Sequence, residues 1–432
     1  MAEFKKYKLG DIADIRTSNV DKKITLNQKT VKLCNFVDVY YNWAITKSNY
    51  DSFMTATASD EEISKFSLKK GQVAFTKDSE TRDDIGIPAY IAEDFKDVVL
   101  GYHTALATPD ENIVTGEYLN AFMHSSYIQK YFELNATGSG MRYTLSQQTL
   151  HDIPILAPDL DAQHKIGSLL SKIDRKISIN REINRNLEEL AKQIYDYWFV
   201  QFDFPNEEGK PYKSSGGKMI WNETLKREIP ESWESGKIGD LFESQAGFAF
   251  KSSEWSHFGY PVLTIKNIQN DGSVSFNDTT FIKNYNDKLE KYTVNNGNMI
   301  FAMSGNTIGK IGIIATNEKN VLINQRVLIL RTTTSTIAFP YFIVSNQNVQ
   351  NLVFQLSANS VQPNISEDKF KNIGICIPNR KILQLFNVKL TSVFEKIISN
   401  RISIQELTTL RDSLLPLLMN GQVTLNSCLS AD

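Results

Sequence analysis

Three cysteines in 432 residues, Cys34, Cys376 and Cys428, are too few and too far apart for a disulfide framework or a pair of metal-ligand knuckles. A reducing compartment with free thiols fits them. No uninterrupted apolar run approaches the ~18 residues needed to span a bilayer. The opening Met1-Ala2-Glu3-Phe4-Lys5-Lys6-Tyr7-Lys8 carries no apolar stretch behind its charges. An unexported cytoplasmic protein with no membrane partner is expected. Positive charge is also lacking in bulk: 47 Lys and Arg stand against 49 Asp and Glu, a net charge of −2. Bulk charge therefore gives no argument for nucleic-acid binding, and if DNA is the ligand a partner has to supply part of the phosphate neutralisation.

Catalytic constellations are missing too. An amino-methyltransferase needs a loop of the type Asn/Asp-Pro-Pro-Tyr to hold a flipped base, and the chain has no Pro-Pro dipeptide. Gly305-Asn306-Thr307-Ile308-Gly309-Lys310-Ile311 is one residue short of a phosphate-binding loop and places Ile311 where the magnesium-binding hydroxyl belongs. Pro158-Asp159 with Asp174-Arg175-Lys176 has the loose spacing of metal-dependent nucleases. Asp174, however, falls in a helical heptad instead of at a sheet edge, and Asn379 replaces Asp159 in a second copy. His103, His124, His151, His164 and His257 have no His-x-x-x-His or Cys-x-x-Cys company, so no metal is expected. The reading is a chain that is not itself an enzyme and binds no cofactor.

What is present is a repeat. At 41% apolar and 22% charged the composition is that of a globular chain, and its length calls for two to four domains. Lys8-Leu9-Gly10-Asp11-Ile12 returns as Lys237-Ile238-Gly239-Asp240-Leu241. Leu68-Lys69-Lys70-Gly71-Gln72-Val73-Ala74-Phe75 returns as Val294-Asn295-Asn296-Gly297-Asn298-Met299-Ile300-Phe301, and Ile85-Gly86-Ile87 as Ile311-Gly312-Ile313. Each reads as a turn feeding a buried strand. Leu145-Ser146 with Ile153 to Pro158 matches Ile365-Ser366 with Ile373 to Pro378.

After each proline the pattern becomes helical. Ile166, Leu170, Ile173, Ile177, Asn180, Asn184, Leu187, Ala191, Ile194 and Trp198 are alternately four and three residues apart, and so are Phe386, Leu390, Val393, Ile397, Asn400, Ile404, Leu407, Arg411, Leu414 and Leu418. Two copies of one coiled-coil helix follow, each ~33 residues or ~50 Å long, with each other as the simplest partner. Asn180 and Asn400 are equivalent seam positions whose mutual pairing would fix the register. Pro416 is expected to kink or end the second helix. The segment 201–232, rich in Gly, Pro and Ser, reads as a linker. The boundaries are 1–158 and 233–378 for two similar domains, 159–200 and 379–421 for the helices, and 422–432 for a tail.

Three stretches carry a family resemblance: Tyr195-Asp196-Tyr197-Trp198-Phe199-Val200-Gln201-Phe202-Asp203-Phe204-Pro205, then Tyr212 to Met219, then Ile229-Pro230-Glu231-Ser232-Trp233-Glu234. Together with Leu414-Leu415-Pro416-Leu417-Leu418-Met419-Asn420-Gly421-Gln422-Val423, they make nearly the whole chain resemble the specificity subunits of type I restriction-modification systems. The first copy lacks the Ile-Pro-Glu-Ser-Trp lead-in, and its loop around Gly138-Ser139-Gly140 is longer than the Asn359-Ser360 region. The resemblance implies an α+β fold: two target-recognition domains, each a twisted sheet plus helices, joined by two long antiparallel coiled-coil helices in a pseudo-twofold arrangement. It also implies double-stranded DNA as ligand, read as a split target with half-sites about one turn apart. Implied partners are two methyltransferase subunits, which hold S-adenosylmethionine and flip the adenine they methylate, and restriction/translocase subunits. The competing reading is a non-catalytic protein-assembly scaffold, which would lack salt-dependent, sequence-selective DNA binding.

Base edges in the major groove are read chiefly by Arg or Lys on guanine and by Asn or Gln on adenine. Loops dense in these types nominate Lys77, Arg82, His103, Ser139, Arg142, Gln147 and Gln148 in the first half. In the second they nominate Lys251, Lys266, Asn267, Ser304, Asn306, Lys310, Asn324, Gln325, Arg326, Asn359 and Gln362. The hydroxyls and lysine of the Ser304 to Lys310 loop suit phosphate positioning.

Overall fold

The computed structural model describes residues 4–140, 142–277, 279–334, 336–358, 363–423 and 425, with Ser139 as backbone alone. Asn359 and Gln362 lie outside the described residues. The chain forms two compact units, Met1–Ser178 with Glu406–Asp432, and Ile179–Gln405.

In the first unit a five-stranded sheet runs in the order Ala13–Thr17, Thr104–Pro109, Val73–Thr76, Pro88–Ile91, Ala44–Ile45. Val73-Ala74-Phe75 is buried throughout because side chains alternate across a strand covered on both faces. Val73 and Phe75 pack with Tyr118, Phe122 and Phe132, while Ala74 packs with Leu33, Val99 and Leu106 over a three-stranded sheet. The second unit repeats the plan with Phe242–Ala246, Val327–Thr332, Met299–Ala302 and Ile311–Ile313. Met299 and Phe301 face Phe339 and Phe370, whereas Ile300 and Ala302 face Leu263 and Ile323. Each buried Phe contributes roughly 1.5–3 kcal/mol through removal from water.

The turns match as well. Gly71 (φ +93°) and Gly297 (φ +84°) take the left-handed conformation that glycine tolerates, and the next side chain closes the loop: Gln72 accepts from Lys69 N–H at 2.8 Å, and Asn298 from Asn295 N–H at 3.0 Å. Ser146 and Ser366 N-cap equivalent short helices. One equivalence differs from the sequence alignment. Phe75 pairs with Pro88 and Phe301 with Ile311, and the N–H groups of Gly86 and Gly309 donate to Thr76 and Ala302. The counterpart of Gly86 (φ +77°) is therefore Gly309 (φ +86°) and not Gly312, because strand pairing and the positive φ fix the position where similarity of apolar triplets does not.

The long helices span Leu160–Tyr195 and Arg380–Met419. Pro416 does not end the second, which continues three residues beyond it: a proline near a helix C-terminus forfeits one hydrogen bond only. In the first unit Ile166 and Leu170 share a core with Leu415, Leu418 and Met419, and Arg411 pairs with Asp174 at 3.5 Å. In the second, Trp198 and Phe199 pack on Phe386 with centroids 5.7 and 4.7 Å apart, and Arg401 meets Glu188 at 2.8 Å. Both sets of contacts run antiparallel. Among the seam positions, Ile173, Ile177, Leu390, Ile397 and Asn400 are buried, and Leu187, Ile194, Val393, Leu407 and Leu414 are half-buried. The seam amide bond joins Asn400 to Asn184, not to Asn180: Asn400 Nδ2 donates to Asn184 Oδ1 at 2.9 Å, and Asn184 Nδ2 donates to the Ile397 carbonyl at 3.3 Å. Asn180 is one turn away and only half-buried.

The segment 201–232, read as a linker, is packed on the second unit. Phe204 stacks between Tyr212 (4.6 Å) and Trp233 (4.9 Å). The Asp203 carboxylate accepts from the Ser214 hydroxyl at 2.6 Å and the Ser214 N–H at 2.7 Å, and these bonds hold it below its ordinary pKa. A hairpin, Met219–Asn222 with Arg227–Pro230, leads into the second domain.

Candidate nucleic-acid interface

At one end of the first unit's main sheet, Lys77 N–H donates to the His103 carbonyl at 2.8 Å and Leu145 N–H donates to the Lys77 carbonyl at 2.9 Å. The chain then adds Asp78–Ser79 to the hairpin Thr137–Ser139/Arg142–Thr144, with Thr144 opposite Asp78 and Tyr143 opposite Ser79. Three of the nominated side chains converge here on a carboxylate. Asp78 Oδ2 lies 2.5 Å from His103 Nδ1 and 3.4 Å from the Arg142 guanidinium, and Asp78 Oδ1 lies 3.4 Å from Lys77 Nζ. Lys77 also donates to Thr144 Oγ1 at 3.4 Å. His103 adopts φ +68°, an unusual conformation for a residue with a Cβ, and its ring lies 4.0 Å from that of Tyr102. Burial pushes the Asp78 carboxyl up, but hydrogen bonds from Thr144 and His103 and the Lys77 charge outweigh it and hold the group below its ordinary value. On the same small sheet the Arg82 guanidinium sits over the Tyr143 ring at 5.0 Å. Gln147 and Gln148 are exposed on the first turn of the next helix, where Gln147 reaches the Ile15 carbonyl at 3.5 Å and Gln148 bonds Asp152 at 2.5 Å.

The second unit builds the same corner with other side chains. Met303 N–H donates to the Arg326 carbonyl, Ile365 N–H donates to the Met303 carbonyl, both at 3.0 Å, and Ser304 bridges to Asn364. Met303, Ser304, Arg326 and Asn364 thus stand where Lys77, Asp78, His103 and Thr144 stand. Gly305 (φ +75°) turns the loop and donates to the Pro363 carbonyl. Ser304 Oγ and Thr307 Oγ1 are enclosed without a hydrogen-bond partner among the described residues. Asn306, Gln325 and Arg326 are exposed, Lys310 and Asn324 half-buried, and Asn324 Oδ1 accepts from Arg326 N–H at 3.3 Å. Lys266 is exposed on the turn Ile265–Asn267, and Lys251 is exposed on the turn before Trp255–Ser256 of the other sheet.

One nominated residue has an architectural part. Asn267 is 5% exposed; its Oδ1 accepts from Thr264 N–H at 2.8 Å and its Nδ2 donates to the Ser275 carbonyl at 2.9 Å. Its counterpart Asp38 closes the same turn, accepting from Asn35 N–H at 2.7 Å. Asn267 is removed from the set of exposed readers, because a side chain that satisfies a buried turn has no donors left for a base. Asp78 and Tyr143, which hold Arg142 and Arg82, escape a search for cations and amides; the signal was an acid next to Lys77 at a strand end.

Among the described residues no group of three His, Cys, Asp or Glu could hold a metal ion, and no helix is long and apolar enough to cross a membrane. The type I restriction modification DNA specificity domain matches residues 1–189 and 230–409. The chain belongs to that family. It is 24% identical to the type I restriction enzyme HindI specificity subunit of Haemophilus influenzae, over 98% of this chain and 100% of that one. It is 25% identical to the MjaIX specificity subunit of Methanocaldococcus jannaschii, over 73% of this chain and 70% of the relative. The fold resembles the crystal structure of the type I restriction-modification S subunit from M. genitalium, with TM-score 0.58, 15% identity and 96% of each chain covered.

Proposed function

We propose that this type I specificity subunit reads a bipartite DNA target with one recognition domain per half-site, residues 1–158 for one and 233–378 for the other. The single observation that carries this is the repeated corner. The same backbone hydrogen bonds present Lys77, Asp78 and His103 in one unit and Met303, Ser304 and Arg326 in the other. A fixed scaffold with exchanged side chains is what two readers of different sequences need. The long helices dock two methyltransferase subunits, which supply S-adenosylmethionine and the methyl-transfer chemistry; restriction/translocase subunits join the same assembly.

Exchanging residues 233–378 for the matching domain of a relative tests the reading. The methylated motif, mapped by sequencing, is expected to change in one half only, since each unit buries its own core. A change in both halves would refute domain-wise reading. Native mass spectrometry at saturating methyltransferase is expected to show two such subunits per recognition chain; a one-to-one assembly at saturation contradicts the docking scheme.

A further inference from the structure

We propose that Arg142 reads a guanine in the half-site of the first unit and that Asp78 is its positioning residue, an inference that rests on the DNA-reading function above. Exposure divides the cluster. The Asp78 side chain is 10% exposed, Lys77 22% and His103 27%, whereas Arg142 is 64% exposed. Asp78 is too enclosed to touch a base, and Arg142 is the member that projects from the fold.

The chemistry points to one base. A guanidinium offers a planar fork of donors and no acceptor, so it matches the adjacent O6 and N7 acceptors of guanine and not the mixed donor and acceptor edge of adenine. A free arginine on a hairpin loses side-chain freedom when it docks, and prior anchoring reduces that cost. Asp78 supplies the anchor: one guanidinium nitrogen of Arg142 lies 3.4 Å from its carboxylate and 2.7 Å from His103 Nδ1. In the ring tautomer that carries its hydrogen on Nδ1, His103 and Arg142 both donate to the one carboxylate. Arg142 is therefore aimed by Asp78 yet keeps donors to spare. The hairpin fixes its origin, with Arg142 opposite Ser139 and Thr144 opposite Asp78. Arg82, exposed and lying over Tyr143, is the neighbouring cation suited to a phosphate. The second unit has Ser304 in the place of Asp78, so the device belongs to one half-site.

The test uses the full chain assembled with its methyltransferase partner, with the methylated motif mapped by sequencing. Arg142→Lys keeps the charge and loses the fork. One G·C position in one half-site is expected to lose roughly ten- to hundred-fold in preference while every other position holds. Asp78→Asn, which keeps an acceptor but not the charge, is expected to relax that same position to a lesser degree. Arg82→Ala serves as the contrast, weakening binding to all sequences alike and lowering the salt slope by about one. An Arg142→Lys assembly with an unchanged motif, or with a uniform loss across all positions, overturns the guanine assignment. An Asp78→Asn assembly that blurs every position of the half-site equally overturns the positioning role. If the unaltered assembly methylates no bipartite motif, the underlying function fails and not this inference alone.

Discussion

Asn400→Asp, which turns one buried amide into a carboxylate of the same shape, is expected to destabilise the second unit by about 3–5 kcal/mol at neutral pH. Asn400 is 2% exposed and donates to Asn184 Oδ1 at 2.9 Å. Asn184 cannot reverse its amide to meet a carboxylate without cost, because its Nδ2 is engaged by the Ile397 carbonyl. The aspartate therefore faces an acceptor with no donor of its own, in a site too enclosed to solvate it. Protonation restores a donor. The folded-state pKa of the new carboxyl lies above its unfolded value of about 3.9, so the missing stability is regained as pH falls and lost again as pH rises through the folded value. Replacing both Asn184 and Asn400 with Leu is expected to be neutral or stabilising, since both polar groups leave together, while the helix register loosens. Denaturant unfolding of the full chain at pH 7 and pH 4, with the parent measured at each pH, separates these outcomes. An aspartate variant as stable as its parent at pH 7 would show that the site is wet.

The seam illustrates what the sequence carries and what it omits. A heptad stripe needs only the helix period, so both helices and their apolar faces were legible. Which asparagine meets which was not. Positions equivalent by repeat face each other only if the helices cross at that level, and here the register lies one turn away, set by packing such as Phe199 on Phe386. Similarly, the turn at Asn267 shows a capping-box spacing, Thr264 to Asn267 and Asn35 to Asp38, that could have marked it as architectural. Asp78 is different in kind. Its partners are distant in sequence, His103 on the turn before the strand Thr104–Pro109 and Arg142 and Thr144 on a hairpin strand, and only strand pairing brings them to one carboxylate.

Lowering the pH from 7 to 5 is expected to remove about 2 kcal/mol from the first unit through one residue, His124. Its half-buried ring stacks on Trp43 with centroids 4.1 Å apart, and its Nε2 is enclosed with no hydrogen-bond partner among the described residues. Burial, reinforced by the Arg411 charge and opposed by a backbone hydrogen bond at Pro88, lowers its pKa to about 3. The direction follows from the protons bound. Between the unfolded value of about 6.5 and the folded value near 3, the unfolded chain holds a proton that the folded chain does not, so stability is complete above pH 6.5 and drains as pH falls toward 3. The same Trp43 ring carries the Arg411 guanidinium at 4.9 Å, and Arg411 pairs with Asp174. Protonation therefore places a second positive charge beside Arg411 and loosens the Trp43 contact that both share. His124→Phe keeps a flat ring on Trp43 and removes the titration. It is expected to be less stable than the parent at pH 7, where the Pro88 bond is lost, and more stable at pH 5, so the two curves of unfolding free energy against pH should cross. Parallel curves would show that His124 is not the group responsible. Protection factors, which remove the intrinsic pH dependence of amide exchange, are expected to fall at residues 118–124 on going from pH 7 to pH 5 in the parent and not in the variant, which locates the weakened contact in the helix Gly116–Met123 that His124 caps.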